Sequence, residues 1–383
     1  MYYLILITLI GISFAPFPFF KLDIWHAQGF WVQFMIMVMY SWSFFEKPKQ
    51  VKITNVPLGI LHLWIGGLTA VTCFASQMSG KYNIMQFFPY FNFLCLLIFY
   101  KICVQYLNRD KIEKILVWLK YMVLVHLFMC VLQKFGLAQF FELLETTPNI
   151  KPSMVIGFLG NGTHLSGFLG MCVPLFLLKP KREDYLSLIL MMIVMSLTGT
   201  LINDPSISGY IVSYILILVY MFVSNREMFT LIVLSSILLV SWCFMKDLVS
   251  KNLFSDTGRF ELWKYYWNLF KLNSPITGVG LGKINQLYTK TTFPTARHLH
   301  LEYFQFMFET GIIGAVAILN LIVGFFRKGF HNKTQFILML IVLGFLLSCC
   351  FNYPAHLWLP STIAMFAYAA YFAIENEEQE NAS

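Results

Sequence analysis

Residues 297–314, RHLHLEYFQFMFETGIIG, place two histidines, two glutamates and a glutamine in the opening turns of what otherwise reads as a membrane-spanning helix. Ionisable groups are expensive in hydrocarbon, so a chain that carries them there either uses them or keeps them in water. On a helix beginning near Arg297, His298, Glu302, Gln305 and Glu309 recur at i, i+4, i+7 and i+11, which is one face. His300, Tyr303, Phe304, Met307 and Gly311 share another. The polar stripe must face a bundle interior or a water-filled cavity. A solvated helix end accounts for His298 and Glu302 easily, but less well for Gln305 and Glu309.

The surrounding chain is apolar throughout. Of 383 residues, 58% are hydrophobic and 12% charged, and the mean hydropathy is +0.67. That composition belongs to an all-α, polytopic membrane protein. Twelve apolar runs of spanning length recur, at roughly 2–19, 27–45, 54–76, 83–106, 115–137, 158–178, 185–202, 208–223, 228–246, 299–326, 334–350 and 357–374. The first lacks a basic leading segment and a small-residue cleavage site, so it reads as a retained span and not as a signal peptide. The eight cysteines fall inside or at the edge of these runs, with no metal-ligand spacing.

The formal charge of +8 could suggest a nucleic-acid partner, but its distribution argues against one. Lys47, Lys49 and Lys52 follow the second span, Lys101, Arg109, Lys111 and Lys114 flank the turn after the fourth, and Lys179, Lys181 and Arg182 follow the sixth. Arg226 follows the eighth, and Arg327, Lys328 and Lys333 the tenth. By the positive-inside rule these loops and both termini are cytoplasmic, including an acidic tail at 375–383 read as solvated. The chain then forms one membrane domain, 1–383, with a long periplasmic loop at 247–298 between spans nine and ten. Long loops escape the charge rule, so the basic balance of this one needs its own reason.

Within that loop, 255-SDTGRFELWKYYWNLF-270 reads as a capped amphipathic helix with Arg259 one turn in and Trp263, Tyr266, Trp267 and Phe270 at spacings of three and four. The plain reading is an anchor lying in the membrane interface. Arg259 strains that reading, because a guanidinium suits bidentate contact with an arriving phosphate. Next, 274-SPITGVGLGKI-284 carries glycines at 278, 280 and 282 with no strand before them, which excludes a dinucleotide fold. Such glycines permit positive φ and close backbone approach, implying a tight turn back at the membrane surface. A third segment, 157-GFLGNGTHLSGFLG-170, puts Asn161, Thr163, His164 and Ser166 at the same outer depth as His300. A lone histidine on a span is more often packed and hydrogen-bonded than reactive.

Taken in order, these pieces resemble the O-antigen ligase and polysaccharide polymerase superfamily of bacterial membrane glycosyltransferases. The resemblance rests on T-G-R-F-E-L-W at 257–263, G-V-G-L-G at 278–282, H-L-E-Y-F-Q-F-M-F-E-T-G-I-I-G at 300–314 and, upstream, G-F-L-G-N-G-T-H at 157–164. It implies an inner-membrane enzyme whose periplasmic face transfers a glycan from an undecaprenyl-diphosphate donor to an acceptor hydroxyl, on a lipid-A core or on a second lipid-linked repeat. Carried over by position, Arg259 contacts the diphosphate and His300 is the general base. His298, Glu302, Gln305, Glu309, Asn161, His164 and the glycines 278, 280 and 282 are then expected around the substrates. The chain departs from the family pattern in Leu301 after the histidine, in Gly162 and Thr163, and in D-P-S-I-S-G at 204–209 where the family has a Ser-Arg. Lys264, Lys283 and Arg297 are candidates for that missing cation.

The expected chemistry needs no metal or other cofactor, because a fixed cation can stabilise the departing diphosphate. The histidine contributes roughly 10²–10⁴-fold by taking the acceptor's proton. Helical phase favours His298 as that base and motif alignment favours His300. A transporter predicts repeated halves and charges at mid-membrane, neither of which this sequence has. A non-catalytic assembly factor draws its best support from the missing Ser-Arg.

Overall fold

The structure, a computed structural model, describes residues 1–14, 24–46, 56–78, 87–137, 155, 157–159, 161–197, 207–227, 229–230, 233, 259–272, 275–281, 284, 299, 301–351 and 354–382. Among these residues the architecture is all-helical. The helices are α1 (Tyr2–Gly11), α2 (Ile24–Trp42), α3 (Val56–Met78), α4 (Phe87–Tyr106), α5 (Arg109–Lys134), α6 (Gly162–Cys172), α7 (Arg182–Leu197), α8 (Ile207–Ser224), α9 (Arg259–Leu272), α10 (Glu302–Arg327), α11 (Lys333–Ser348) and α12 (Trp358–Ala382). A helix occupies each expected apolar run except the ninth, 228–246, which lies mostly outside the described residues.

Pro89–Tyr106, Arg109–Lys134 and Glu302–Arg327 are long and apolar enough to cross a membrane; other apolar helices are shorter. Two of the shorter ones continue as 3-10 turns, Ile12–Phe14 after α1 and Val173–Phe176 after α6. Pro174 gives the second its cause, since proline withholds the N–H that an α-turn requires. Asparagines start three helices. Asn108 accepts from the Lys111 N–H at 3.2 Å, Asn161 from the Thr163 N–H at 2.8 Å and Asn332 from the Gln335 N–H at 2.9 Å, each satisfying a donor the first turn leaves open.

Small residues bring helices together at the centre. A Cβ on Gly170 of α6 would stand 2.7 Å from the Gly209 carbonyl oxygen of α8, and one on Gly209 would press on the Ser166 carbonyl. Lipid supplies no hydrophobic drive between helices, so close backbone approach of this kind carries the packing. Around that crossing α11 packs on α6 and α8, α12 on α11 and α4, and α10 on α3.

Polar contacts gather the basic turns at one end of the bundle. Glu113 on α5 binds Lys179 at 2.7 Å, Arg109 at 3.3 Å and the Thr334 hydroxyl at 2.9 Å. The acidic tail, expected as a solvated end, forms the last turns of α12, half-buried to exposed along its length. Glu375 pairs with Lys328 at 2.6 Å, Glu377 accepts from the Arg109 N–H, and Glu378 accepts from Asn332. Helix propensity and three nearby partners order the segment. Met1 joins the same end through its ammonium, 3.0 Å from Glu46, whose carbonyl accepts from the Tyr106 hydroxyl.

Candidate active site

α10 is broken by Gly311, at φ 73° and ψ −176°. A continuous helix would donate Ile312 N–H to the Phe308 carbonyl, Ile313 to Glu309 and Gly314 to Thr310. The loop at 275–281 enters this break and replaces those bonds. Val279 N–H donates to the Phe308 carbonyl at 3.2 Å and Gly280 N–H to the Glu309 carbonyl at 2.8 Å, while Ile312 and Ile313 N–H donate to the carbonyls of Pro275 and Ile276. Trp64 on α3 donates its indole N–H to the Thr310 carbonyl at 3.1 Å. Irregular backbone at membrane depth survives only where protein satisfies it in this way.

The glycine motif thus does more than turn the chain at a surface. Gly278 at φ 76° and Gly280 at φ 103° adopt the left-handed region, and a Cβ on Gly278 would press on the Glu309 carbonyl, as one on Gly311 would on that of Ile276. Gly282 lies outside the described residues.

The aromatic loop helix, α9, packs on the same segment. Leu262, Tyr266 and Phe270 are buried with Leu299 and Phe308; Tyr266 meets Phe308 edge-on at 5.5 Å, and Trp267 covers Phe304 at 6.0 Å. Trp263 donates its indole N–H to the Leu299 carbonyl at 2.7 Å. The stripe read as an interfacial anchor is therefore in large part core: Tyr266 and Phe270 are 1% and 3% exposed, and Trp267 remains 45% exposed.

Opposite α9, the polar face of α10 meets a cavity of about 370 Å³. Glu302, Gln305 and Glu309 line it and are 6%, 2% and 3% exposed. Below them the lining turns apolar, through Ile318, Leu321 and Phe325 of α10, Phe345 of α11 and Met365 and Tyr368 of α12, with α3 and α4 closing the side at Leu61, Ile65, Phe93 and Leu96. Asn92, which accepts from Gln33 at 2.9 Å, is a further polar group on its wall.

One group at the polar end escaped sequence analysis. His356, in the turn between α11 and α12, donates Nδ1–H to Glu302 Oε1 at 2.9 Å, and the Ala355 N–H donates to the same oxygen at 3.0 Å. Its Nε2 lies 3.1 Å from Gln305 Nε2. Gln305 Oε1 accepts the Leu299 N–H at 3.2 Å, which puts the amide nitrogen beside His356 Nε2; that contact is a hydrogen bond only with the neutral ring, Nε2 then accepting and Nδ1 donating. Burial alone lowers the imidazole pKa, but the Glu302 carboxylate beside it, with Glu309 behind, overrides this and raises it to about 9. The ring is 34% exposed, so water admitted to the cavity weakens the pair. Ser361 fixes the turn by donating to the Pro354 and Ala355 carbonyls. The signal for this group was available in 352-NYPAHLW-358, a histidine in a proline turn between two apolar runs.

The other expected residues that the structure describes lie away from the polar end of this cavity. Asn161 caps α6, and His164, 5% exposed, lines a small cavity with Pro354 and Leu357 behind the His356 turn. Lys264 is exposed on α9, away from its packed face. Arg259 opens α9, with its guanidinium outside what the structure describes, and Arg297, His298, His300 and Lys283 lie outside the described residues. The expected helix start near Arg297 is corrected: α10 begins at Glu302, after Leu301 in an extended conformation at φ −148°. The i, i+4 pairing of His298 with Glu302 falls outside the described residues. No side chain caps this end, and the Glu302 N–H donates instead to the Cys349 carbonyl at 3.0 Å, so tertiary contact sets the start.

Comparison with known proteins gives one family. Residues 154–319 match the family model described as O-antigen ligase, a stretch from just before α6 into α10. The search of curated proteins found no match.

Proposed function

From a chain whose residues 154–319 match the family model described as O-antigen ligase, we propose an inner-membrane glycosyltransferase of the ligase type. It transfers a glycan from an undecaprenyl-diphosphate donor to a hydroxyl of a lipid-A core at the periplasmic face, with both termini cytoplasmic. The observation that supports this best is the two-part cavity: Glu302, Gln305, Glu309 and His356 at one end, and an apolar channel between α10, α11, α12 and α4 reaching Phe325 and Tyr368. Sugar hydroxyls suit the first part and an isoprenoid chain the second.

Arg259 is the cation on which the diphosphate leaves, and His300 takes the proton of the attacking hydroxyl. Attack from the side opposite the diphosphate forms the new glycosidic bond as the old C–O bond breaks, inverting the anomeric centre. The leaving group departs as an anion, so a fixed guanidinium lowers the barrier where charge develops, and no metal is needed for that role. The bond from Trp263, one turn along α9 from Arg259, to the carbonyl of Leu299, next in sequence but one to Leu301 and adjacent to His300, supports bringing the two together.

Substituting Arg259→Ala or His300→Ala is expected to leave a folded, inserted protein that no longer transfers glycan, while lipid-linked donor accumulates. Full transfer by both variants would overturn the assignment. Polymerase is the second reading, since the same superfamily holds both activities. A deletion strain that retains single-repeat capping supports polymerisation, whereas complete loss of the surface glycan supports ligation.

A further inference from the structure

One polar side chain on the cavity wall has no part in the chemistry above. Asn92 of α4 lines the cavity together with the apolar Pro89, Phe93 and Leu96. Its Oδ1 accepts from Gln33 Nε2 of α2 at 2.9 Å, so the amide is held from α2 and its N–H₂ is left to the cavity. Depth places this donor at the polar end. α4 packs along α12, with Tyr100 meeting Tyr368 at 5.6 Å. Just past the end of α4, the Arg109 N–H donates to Glu377 at the end of α12, so the two helices run in the same direction. Two turns back from the tyrosine pair, Asn92 comes level with Ser361. The Ser361 hydroxyl donates to the Pro354 and Ala355 carbonyls and the Ala355 N–H to Glu302, which ties that level to the polar end. Trp358, at the start of α12, lines the cavity as well. Its indole edge is pressed against Gly29, one turn along α2 from Gln33. An amide donor on an otherwise apolar wall is costly unless an occupant accepts from it.

We propose that Asn92, fixed by Gln33, is a specificity contact for the donor: with Glu302 and Trp358 it binds a sugar ring of the lipid-linked glycan across the polar end of the cavity. The inference rests on the transferase reading given above. A sugar ring carries an edge of hydroxyls and apolar C–H faces. Glu302 Oε1 is taken by His356 and Ala355, and Oε2 is the acceptor it offers. A hydroxyl can donate to that oxygen and accept from the Asn92 N–H₂, while a C–H face packs on the indole of Trp358. A few polar groups at fixed angles in a largely apolar site set both orientation and choice. The apolar channel begins about one turn further along, at Leu96 of α4 and Met365 of α12. A ring seated here has its lipid led into that channel, which assigns it to the donor and not to the acceptor. Asn92 and Trp358 both lie outside 154–319, so the choice of sugar falls to helices flanking the stretch that the family model matches.

The test reads binding apart from transfer. The full-length protein in phospholipid nanodiscs is photolabelled with n-decyl β-D-glucoside carrying a diazirine at the chain end, and with the triethylene glycol ether of the same chain as control. Wild type is expected to bind the glucoside more tightly than the ether, with label on channel residues such as Leu321, Phe325 and Tyr368. N92A is expected to raise the half-saturating glucoside concentration roughly two- to ten-fold, the worth of one hydrogen bond, and to leave the ether unchanged. Should N92A fail to assemble, Q33M replaces it: the Asn92 amide stays but loses its holder, and the shift keeps the same sign. In vesicles holding each variant, with extracted lipid-linked glycan as donor, KM for the donor is expected to rise by the same factor while KM for the acceptor stays. The proposal is overturned if wild type does not prefer the glucoside, if the variant used leaves glucoside binding unchanged or shifts both probes alike, if the label falls outside the cavity, or if only the acceptor KM moves. Transfer by R259A and H300A would instead sink the transferase assignment and leave the binding result standing, so the two failures are separable.

Discussion

Glu302 accepts both the Ala355 N–H and His356 Nδ1–H with one oxygen, so charge and hydrogen bonding at this residue can be separated by substitution. Glu302→Gln keeps an oxygen in place and removes the charge that raises the His356 pKa. The His356 ring should then titrate nearer the ordinary imidazole range than at about 9, which histidine NMR of the protein in detergent would show. Glu302→Ala also strips two donors of their acceptor and is expected to cost about 1–3 kcal/mol of stability, measurable as a lower unfolding temperature in detergent. An unchanged ring titration in Glu302→Gln would mean that the carboxylate does not govern the ring.

At the scale of elements, the join between the glycine loop and α10 is where stability and site geometry meet. Gly278→Ala and Gly311→Ala each incur the left-handed penalty of roughly 1–2 kcal/mol and also force apart two backbones that exchange hydrogen bonds. Gly280→Ala is expected to be milder, because its Cβ would meet the Thr72 side chain at 2.9 Å and not a carbonyl. Ranking the three by thermal stability of the purified protein checks the interpretation, and a Gly280 variant as damaged as the others would contradict it. Trp64→Phe leaves the Thr310 carbonyl without its indole donor, at an expected cost of about 1–3 kcal/mol.

For the whole molecule, the end that carries the basic turns is held by contacts of unequal worth. Glu113 is 24% exposed and gathers Lys179, Arg109 and Thr334 from three turns of the chain. Glu113→Ala should destabilise the bundle by about 1–3 kcal/mol. The Glu375–Lys328 pair is of the same kind, its lysine 41% exposed against 76% for Lys179, and exposed ion pairs contribute roughly 0–1 kcal/mol each. Removing residues 375–383 is expected to leave glycan transfer within about two-fold of wild type, since surface pairs of this kind are worth little. A tail deletion that unfolds the protein would show that the last turns of α12 carry structural weight the pair energies do not account for.

Periodicity and composition were enough to read an all-helical chain, most of its helix positions and the polar face of α10, because apolar run length and the 3.6-residue repeat are local properties of sequence. Glu302, Gln305 and Glu309 were legible for that reason: on any helix they share a face, and lipid would not accept it. The start of α10 was not legible, since a carbonyl at the end of α11 determines it. Nor was the purpose of Gly278 and Gly311, which face one another's backbones across some thirty residues of sequence. His356 joined the site only in three dimensions, because a histidine in a short turn carries no period and its partner lies fifty-four residues away. Helices announce themselves along the chain; a cavity exists only where separate helices converge, and its membership is decided by packing.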